Sequence, residues 1–137
     1  MLRKDAKVEL IKRVPLFEDC SKAELRQIAE TADEVDVPAG TLLTKEGATG
    51  KEFVVIVEGA AEVRRRGRMI NELGSGDFLG EIALVSGAPR TATVKTTEPT
   101  RALVLTAQAF RSLMRRVPSI QLKVLAALAR RIPDDLG

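Results

Sequence analysis

The 137-residue chain has no histidine, no tryptophan and no tyrosine, and it has one cysteine. Without histidine the commonest general base and the commonest metal ligand are missing, and Cys20 alone cannot supply a ligand set. Metal-dependent chemistry on a jelly-roll scaffold needs clustered imidazoles, and a nucleophile–base dyad needs a partner for the thiol, so neither kind of enzyme is expected. A single cysteine also cannot close an internal disulfide, which suits a cytoplasmic protein. Cys20 immediately precedes a helix cap, where a small apolar residue packs, and it reads as that rather than as a reactive thiol. Aromatic residues are limited to four phenylalanines, which leaves little for base stacking. The net charge of +3, from 22 basic and 19 acidic residues, is mild, and no direct nucleic-acid binding is expected. No apolar run approaches the roughly 18 residues of a membrane span. The first residues interleave Lys4, Asp5, Lys7 and Glu9 with Val8, Leu10 and Ile11, which is not an export signal.

The residues present, 45% hydrophobic and 30% charged, fit one globular domain over 1–137. Apolar positions at Val8, Leu10 and Ile11 predict a short helix from about Lys4 to Arg13, ended by Pro15. Ser21 and Glu24 form a capping box, Cys20 and Leu25 sit at staple positions, and Leu25, Ile28, Ala29 and Ala32 recur at helical spacing, predicting a helix over 21–32. From 33 the period becomes two. Val35 and Val37, Thr41 to Thr44, Phe53 to Val57, Ala61 to Arg64, Met69 to Leu73, Thr91 to Thr96 and Thr100 to Thr106 read as strands. Arg66-Gly67-Arg68 turns one hairpin, and with Arg64 and Arg65 it reads as a solvated tip.

Phe110, Leu113, Met114 and Val117 return to helical spacing, Pro118 interrupts, and Ile120, Val124, Ala127 and Leu128 resume it before Pro133. A second row, Leu122, Leu125, Ala129 and Ile132, widens that last apolar face and predicts two packing partners for it. The fold expected is mainly β with α: an N-terminal helical part over 8–32, an eight-stranded jelly-roll-like β-roll over 33–106, and two C-terminal helices over 107–132.

One stretch, 78–94, reads as neither strand nor simple turn. Glu81 to Val85 is about one helical turn set between Gly80 and Gly87. A helix opening after glycine presents free N–H groups and the positive end of its dipole, an anion site. Arg90 adds a guanidinium, which forks onto two phosphate oxygens. Glu81 would repel a bare phosphate, but a carboxylate accepts hydrogen bonds from sugar hydroxyls. Together the two side chains call for a ligand with both phosphate and ribose.

Leu79-Gly80-Glu81-Ile82-Ala83-Leu84, five further residues, then Arg90-Thr91-Ala92-Thr93-Val94 resembles the phosphate-binding cassette of the cyclic-nucleotide-binding domain family, the type found in the catabolite activator protein and protein kinase A regulatory subunits. Gly47, Gly50, Phe53 to Ile56 and Gly59 resemble a second signature of that family, and the resemblance spans roughly 8–132. It implies a β-roll with a leading helical element and following helices B and C. It implies cAMP or cGMP as the ligand, with no catalytic cofactor and no metal. By the same resemblance Glu81 accepts the ribose 2′-hydroxyl, Arg90 pairs with the cyclic phosphate, and the N–H groups of Ala83 and Thr91 support it. Gly80 and Ile82 line the ribose side, and Ala92 is a further ligand-binding position of the cassette, 78–94. Thr91 offers a hydroxyl that reaches a syn guanine in some relatives.

The family's mechanism implies that ligand draws the cassette inward, helix B pivots and helix C closes as a lid. Leu103, Phe110 and Leu113 are the pivot candidates, and Leu128, Arg130, Arg131 and Ile132 the lid candidates. The implied role is a signal-transducing regulatory domain, with an effector protein or domain, or a second copy joined through the last helix, as partner. Two alternatives stand beside it. One is a vestigial cassette serving protein interaction. The other is the sensor half of a truncated transcription regulator, since a chain ending at Gly137 leaves no room for a helix-turn-helix.

Overall fold

The computed structural model describes residues 4–48, 52–80 and 92–136. Helix α1 (Lys4–Lys12) is followed by a 3-10 helix (Pro15–Phe17) and by α2 (Lys22–Thr31). Pro15 therefore does more than end α1. It opens the 3-10 helix at the first position, where a missing N–H goes unused. The capping box of α2 forms as the sequence predicts, with Ser21 Oγ accepting from Glu24 N–H at 3.1 Å and Glu24 Oε1 accepting from Ser21 N–H at 2.7 Å. Ser21→Ala removes one of these and is expected to cost about 1 kcal/mol, read as a lower urea midpoint at unchanged slope; an unchanged midpoint would show that the cap is redundant.

Eight strands follow among the described residues: β1 (Asp33–Val37), β2 (Leu42–Thr44), β3 (Glu52–Glu58), β4 (Ala61–Arg65), β5 (Arg68–Leu73), β6 (Phe78–Leu79), β7 (Thr93–Thr96) and β8 (Thr100–Thr106). They form two antiparallel four-stranded sheets, ordered β1-β8-β3-β6 and β2-β7-β4-β5. This is the expected jelly-roll-like β-roll. Two boundaries differ from the sequence reading. Phe78 and Leu79 pair with Val55 and Val54 as a strand, and the strand expected from Thr91 begins at Thr93.

The unbroken apolar run Phe53 to Ile56 is explained by burial on both faces. Val54 and Ile56 point into the roll with Ala61, Leu73, Leu79, Val94 and Ala102. Phe53 and Val55 point the other way, into a larger cluster that also holds Leu103 and Leu105 of β8 and the apolar faces of the helices. Both helical ends of the chain thus pack on the same sheet. The turn after β3 is fixed by Gly59, with φ +119, where a Cβ would lie 2.4 Å from Thr100 Oγ1 and 2.7 Å from Thr100 Cα. Only glycine permits that approach.

The chain closes with α3 (Ala107–Arg116), capped by Thr106 Oγ1 accepting from Ala109 N–H at 3.1 Å, and α4 (Pro118–Leu136). These are the two helices predicted, with Pro118 at the first position of α4. The last one continues past Pro133 to Leu136, beyond the expected end at 132. A proline one turn from a helix end removes a single ladder bond and leaves no further turns to disrupt. The two apolar rows of α4 divide. Ile120 and Val124 are fully buried, whereas Leu122 and Leu125 of the second row are 68% and 50% exposed among the described residues.

Candidate functional site

The segment singled out by sequence enters from one sheet and leaves through the other. At its entrance, Asp77 accepts Gly74 N–H on Oδ2 at 2.7 Å, and its carbonyl accepts Ile56 N–H at 2.8 Å. Phe78 and Leu79 then join the edge of the first sheet, and Gly80 leaves it with φ +99, a left-handed conformation that favours glycine. At the exit Ala92 is buried, and its carbonyl accepts Thr44 Oγ1–H at 3.0 Å. Thr93 opens β7, an interior strand of the second sheet, and its Oγ1 accepts Glu46 N–H at 3.0 Å. Residues 81–91 therefore connect an edge strand of one sheet to an interior strand of the other, at ends anchored by named hydrogen bonds.

Of the predicted site residues, Gly80 and Ala92 lie at these two anchors. Glu81, Ile82, Ala83, Arg90 and Thr91 lie outside the described residues, as does Gly50 of the second glycine signature. Gly47, Phe53 to Ile56 and Gly59 of that signature stand in the β2–β3 connection, in β3 and at its end. The lid candidates Leu128, Arg130, Arg131 and Ile132 fall on α4, with their side chains outside the described set.

The entrance is packed directly to the helices. The Phe78 ring lies 5.5 Å from Phe53, centroid to centroid and tilted by 40°, and Phe53 stacks on Phe110 of α3 at 4.3 Å and 23°. The pivot candidates Leu103, Phe110 and Leu113 are all buried in this cluster. The sequence reading singled out these three but not Phe53 and Phe78, whose rings join Phe110 in the cluster, because three rings spread over 58 positions have no local pattern. The only signal available was that phenylalanine is scarce and that three of the four sit in otherwise aliphatic elements.

Two further contacts were not legible. Thr44 of β2 and Glu46 in the turn after it buttress the segment's exit. Lys123 of α4 donates to Pro15 O at 2.8 Å and pairs with Asp19 at 3.1 Å and Glu18 at 3.4 Å. Cys20 lies beside that cluster. Burial first, then the Glu24 carboxylate, push its thiol up to about 11, with Lys123 opposing. A thiol held protonated at neutral pH is a poor nucleophile, in keeping with a packing role.

The architecture is thus a jelly-roll β-roll with helices on one sheet, and residues 81–91 link the edge of that sheet to an interior strand of the other. The sequence pattern of the family described as "Cyclic nucleotide-binding domain" matches residues 34–117, and the chain belongs to that family. A cyclic nucleotide-gated potassium channel of Rhizobium etli is 38% identical over 112 residues, covering 82% of this chain and 31% of the channel. A cAMP-dependent protein kinase regulatory subunit of Mycosarcoma maydis is 41% identical over 85 residues, covering 59% of this chain and 16% of the relative. A CRP-like cAMP-activated global transcriptional regulator of Mycobacterium tuberculosis is 28% identical over 129 residues, covering 90% and 58%. The chain thus spans less than two thirds of each of these relatives.

Among solved structures, Thermus thermophilus catabolite activator protein is 26% identical with a TM-score of 0.78, covering 88% of this chain and 59% of that one. A cAMP-bound protein kinase A regulatory subunit is 25% identical with a TM-score of 0.77, covering 92% and 47%. By name the relatives are a channel, a regulatory subunit and transcriptional regulators, and no enzymatic family is indicated. Among the described residues no helix is long and apolar enough to cross a membrane.

Proposed function

We propose that the chain is a cytoplasmic regulatory module that binds cAMP or cGMP in the segment from Gly80 to Ala92 and passes occupancy to α3 and α4. The observation that carries this reading is the placement of that segment. Its two ends are anchored in different sheets, and Phe78, three positions before Glu81, packs through Phe53 onto α3. In this reading Arg90 and the N–H groups of Ala83 and Thr91 hold the cyclic phosphate. Glu81 accepts the ribose 2′-hydroxyl beside Gly80 and Ile82, and the Thr91 hydroxyl faces the base.

Ligand favours one of two states only through contacts that differ between them. A phosphate that draws the Gly80 to Ala92 segment inward acts on Phe78, and the ring stack carries the displacement to Phe110. α3 then pivots on Leu103 and Leu113, and α4 brings Leu128, Arg130, Arg131 or Ile132 over the base. The exposed row of Leu122 and Leu125 is the face we assign to an effector or to a second copy of the chain.

Glu81→Ala is expected to weaken cAMP binding by about tenfold to a hundredfold, the cost of losing a hydrogen bond to a charged group, as read by titration calorimetry. Affinity equal to that of the unaltered protein would remove the ribose role from Glu81.

A further inference from the structure

The β4–β5 hairpin carries chemistry that nucleotide binding does not use. Arg64, Arg65, Arg66 and Arg68 fall within five positions, and Arg65 pairs with Arg68 across a turn of Arg66 and Gly67. Arg66 has φ 53, a left-handed conformation that costs a residue with a Cβ about 1–2 kcal/mol. Glu46 Oε1 holds it there by accepting Arg66 N–H at 3.0 Å. Met69 and Ile70 follow, 52% and 49% exposed. The register jumps from Val63↔Asn71 to Arg64↔Met69, so Ile70 is a bulge. A bulge and like charges both discourage strand pairing at a sheet edge. The tip thus sets Arg66 and Arg68 beside two exposed apolar side chains in the sequence, while the Arg64 guanidinium is engaged by Glu62 and Gly67 O. The acids nearby are Glu62, paired with Arg64 at 2.9 Å, Glu46 on the Arg66 amide, and Glu72 lower in β5.

We infer that this hairpin tip docks on an anionic lipid surface, with Met69 and Ile70 entering the interfacial layer and Arg66 and Arg68 meeting lipid phosphates. A two-residue turn is too small to approach the roughly 1,000 Å² of a specific protein interface. A nucleic-acid backbone would meet the arginines but leave the apolar pair in water. A lipid interface takes both kinds of side chain, and positive charge complements its headgroups. The inference stands independently of the nucleotide reading.

Sedimentation of the whole chain with phosphatidylcholine vesicles, with and without phosphatidylserine, tests it. The protein is expected to partition onto the phosphatidylserine vesicles and to be released by added salt. Each basic side chain near an anionic surface contributes about fivefold, so Arg66→Asn combined with Arg68→Ser is expected to lower partitioning about 30-fold. Asparagine tolerates the left-handed turn, and an unchanged circular dichroism spectrum reports an intact fold. Met69→Ser with Ile70→Ser is expected to weaken binding at constant charge. Equal partitioning on neutral vesicles, no partitioning at all, or no change in the Arg66→Asn, Arg68→Ser protein overturns the inference. Capture by polyglutamate without vesicle binding overturns it in favour of an acidic protein partner.

Discussion

Replacing Arg90 by alanine is expected to weaken cAMP binding by about 30-fold to several thousand-fold, corresponding to about 2–5 kcal/mol for removing one partner of a desolvated charge pair. The size of the effect follows from what is left behind. In the proposed site the alanine protein keeps the backbone N–H donors assigned to the phosphate, but the net charge of the phosphate loses its counterpart. Arg90→Lys should fall between the two, because an ammonium keeps the charge and loses the two-pronged geometry. Calorimetry on the three proteins reads the series directly. An Arg90→Ala protein that binds as tightly as the unaltered one contradicts the phosphate assignment.

Phe53→Ala is expected to destabilise the fold by about 3–5 kcal/mol. The ring is fully buried in β3, stacked on Phe110 at 4.3 Å and within 5.5 Å of Phe78. Its removal opens a cavity where the roll, the helices and the segment entrance meet, and sheet geometry prevents its walls from collapsing inward. Phe53→Leu refills most of that volume and should cost less. Urea unfolding measures both, and a loss below 1 kcal/mol for alanine, judged against the expectation for a buried phenylalanine, would mean that the cluster repacks. The leucine protein, if folded, separates stability from signalling. Its nucleotide affinity can be retained while the response of α3 and α4 weakens.

Much of the architecture is legible in the residues because the deciding signals are local. The Ser21–Glu24 box, the alternation at Val35 and Val37, and the Arg66-Gly67 turn each specify a few bonds within a few positions. The uninterrupted run at Phe53 is informative for the opposite reason, since a strand without alternation must be covered on both faces. What sequence reading misplaces is set by distant partners. Phe78 and Leu79 become a strand only because Val54 and Val55 lie alongside. Pro133 stays within α4 because the helix ends one turn later.

The candidate site is read from residue types in register, Gly80, Glu81 and Arg90, which needs no knowledge of their neighbours. The long-range features around it carry no sequence period. Thr44 reaches Ala92 across 48 positions and Glu46 reaches Thr93 across 47, and Lys123 reaches Pro15 across 108. The double apolar row of α4 predicts two partners. Leu122 and Leu125 instead stand half or more exposed among the described residues.

The central claim, that this module recognises a cyclic phosphate joined to ribose, is tested most directly by calorimetry of one preparation with cAMP, cGMP and the non-cyclic 5′-AMP. Binding heat is expected from at least one cyclic nucleotide. AMP should give little, since its phosphate carries additional negative charge and is not held in a ring beside the 2′-hydroxyl. No heat from either cyclic nucleotide, or equal affinity for AMP, would contradict the account.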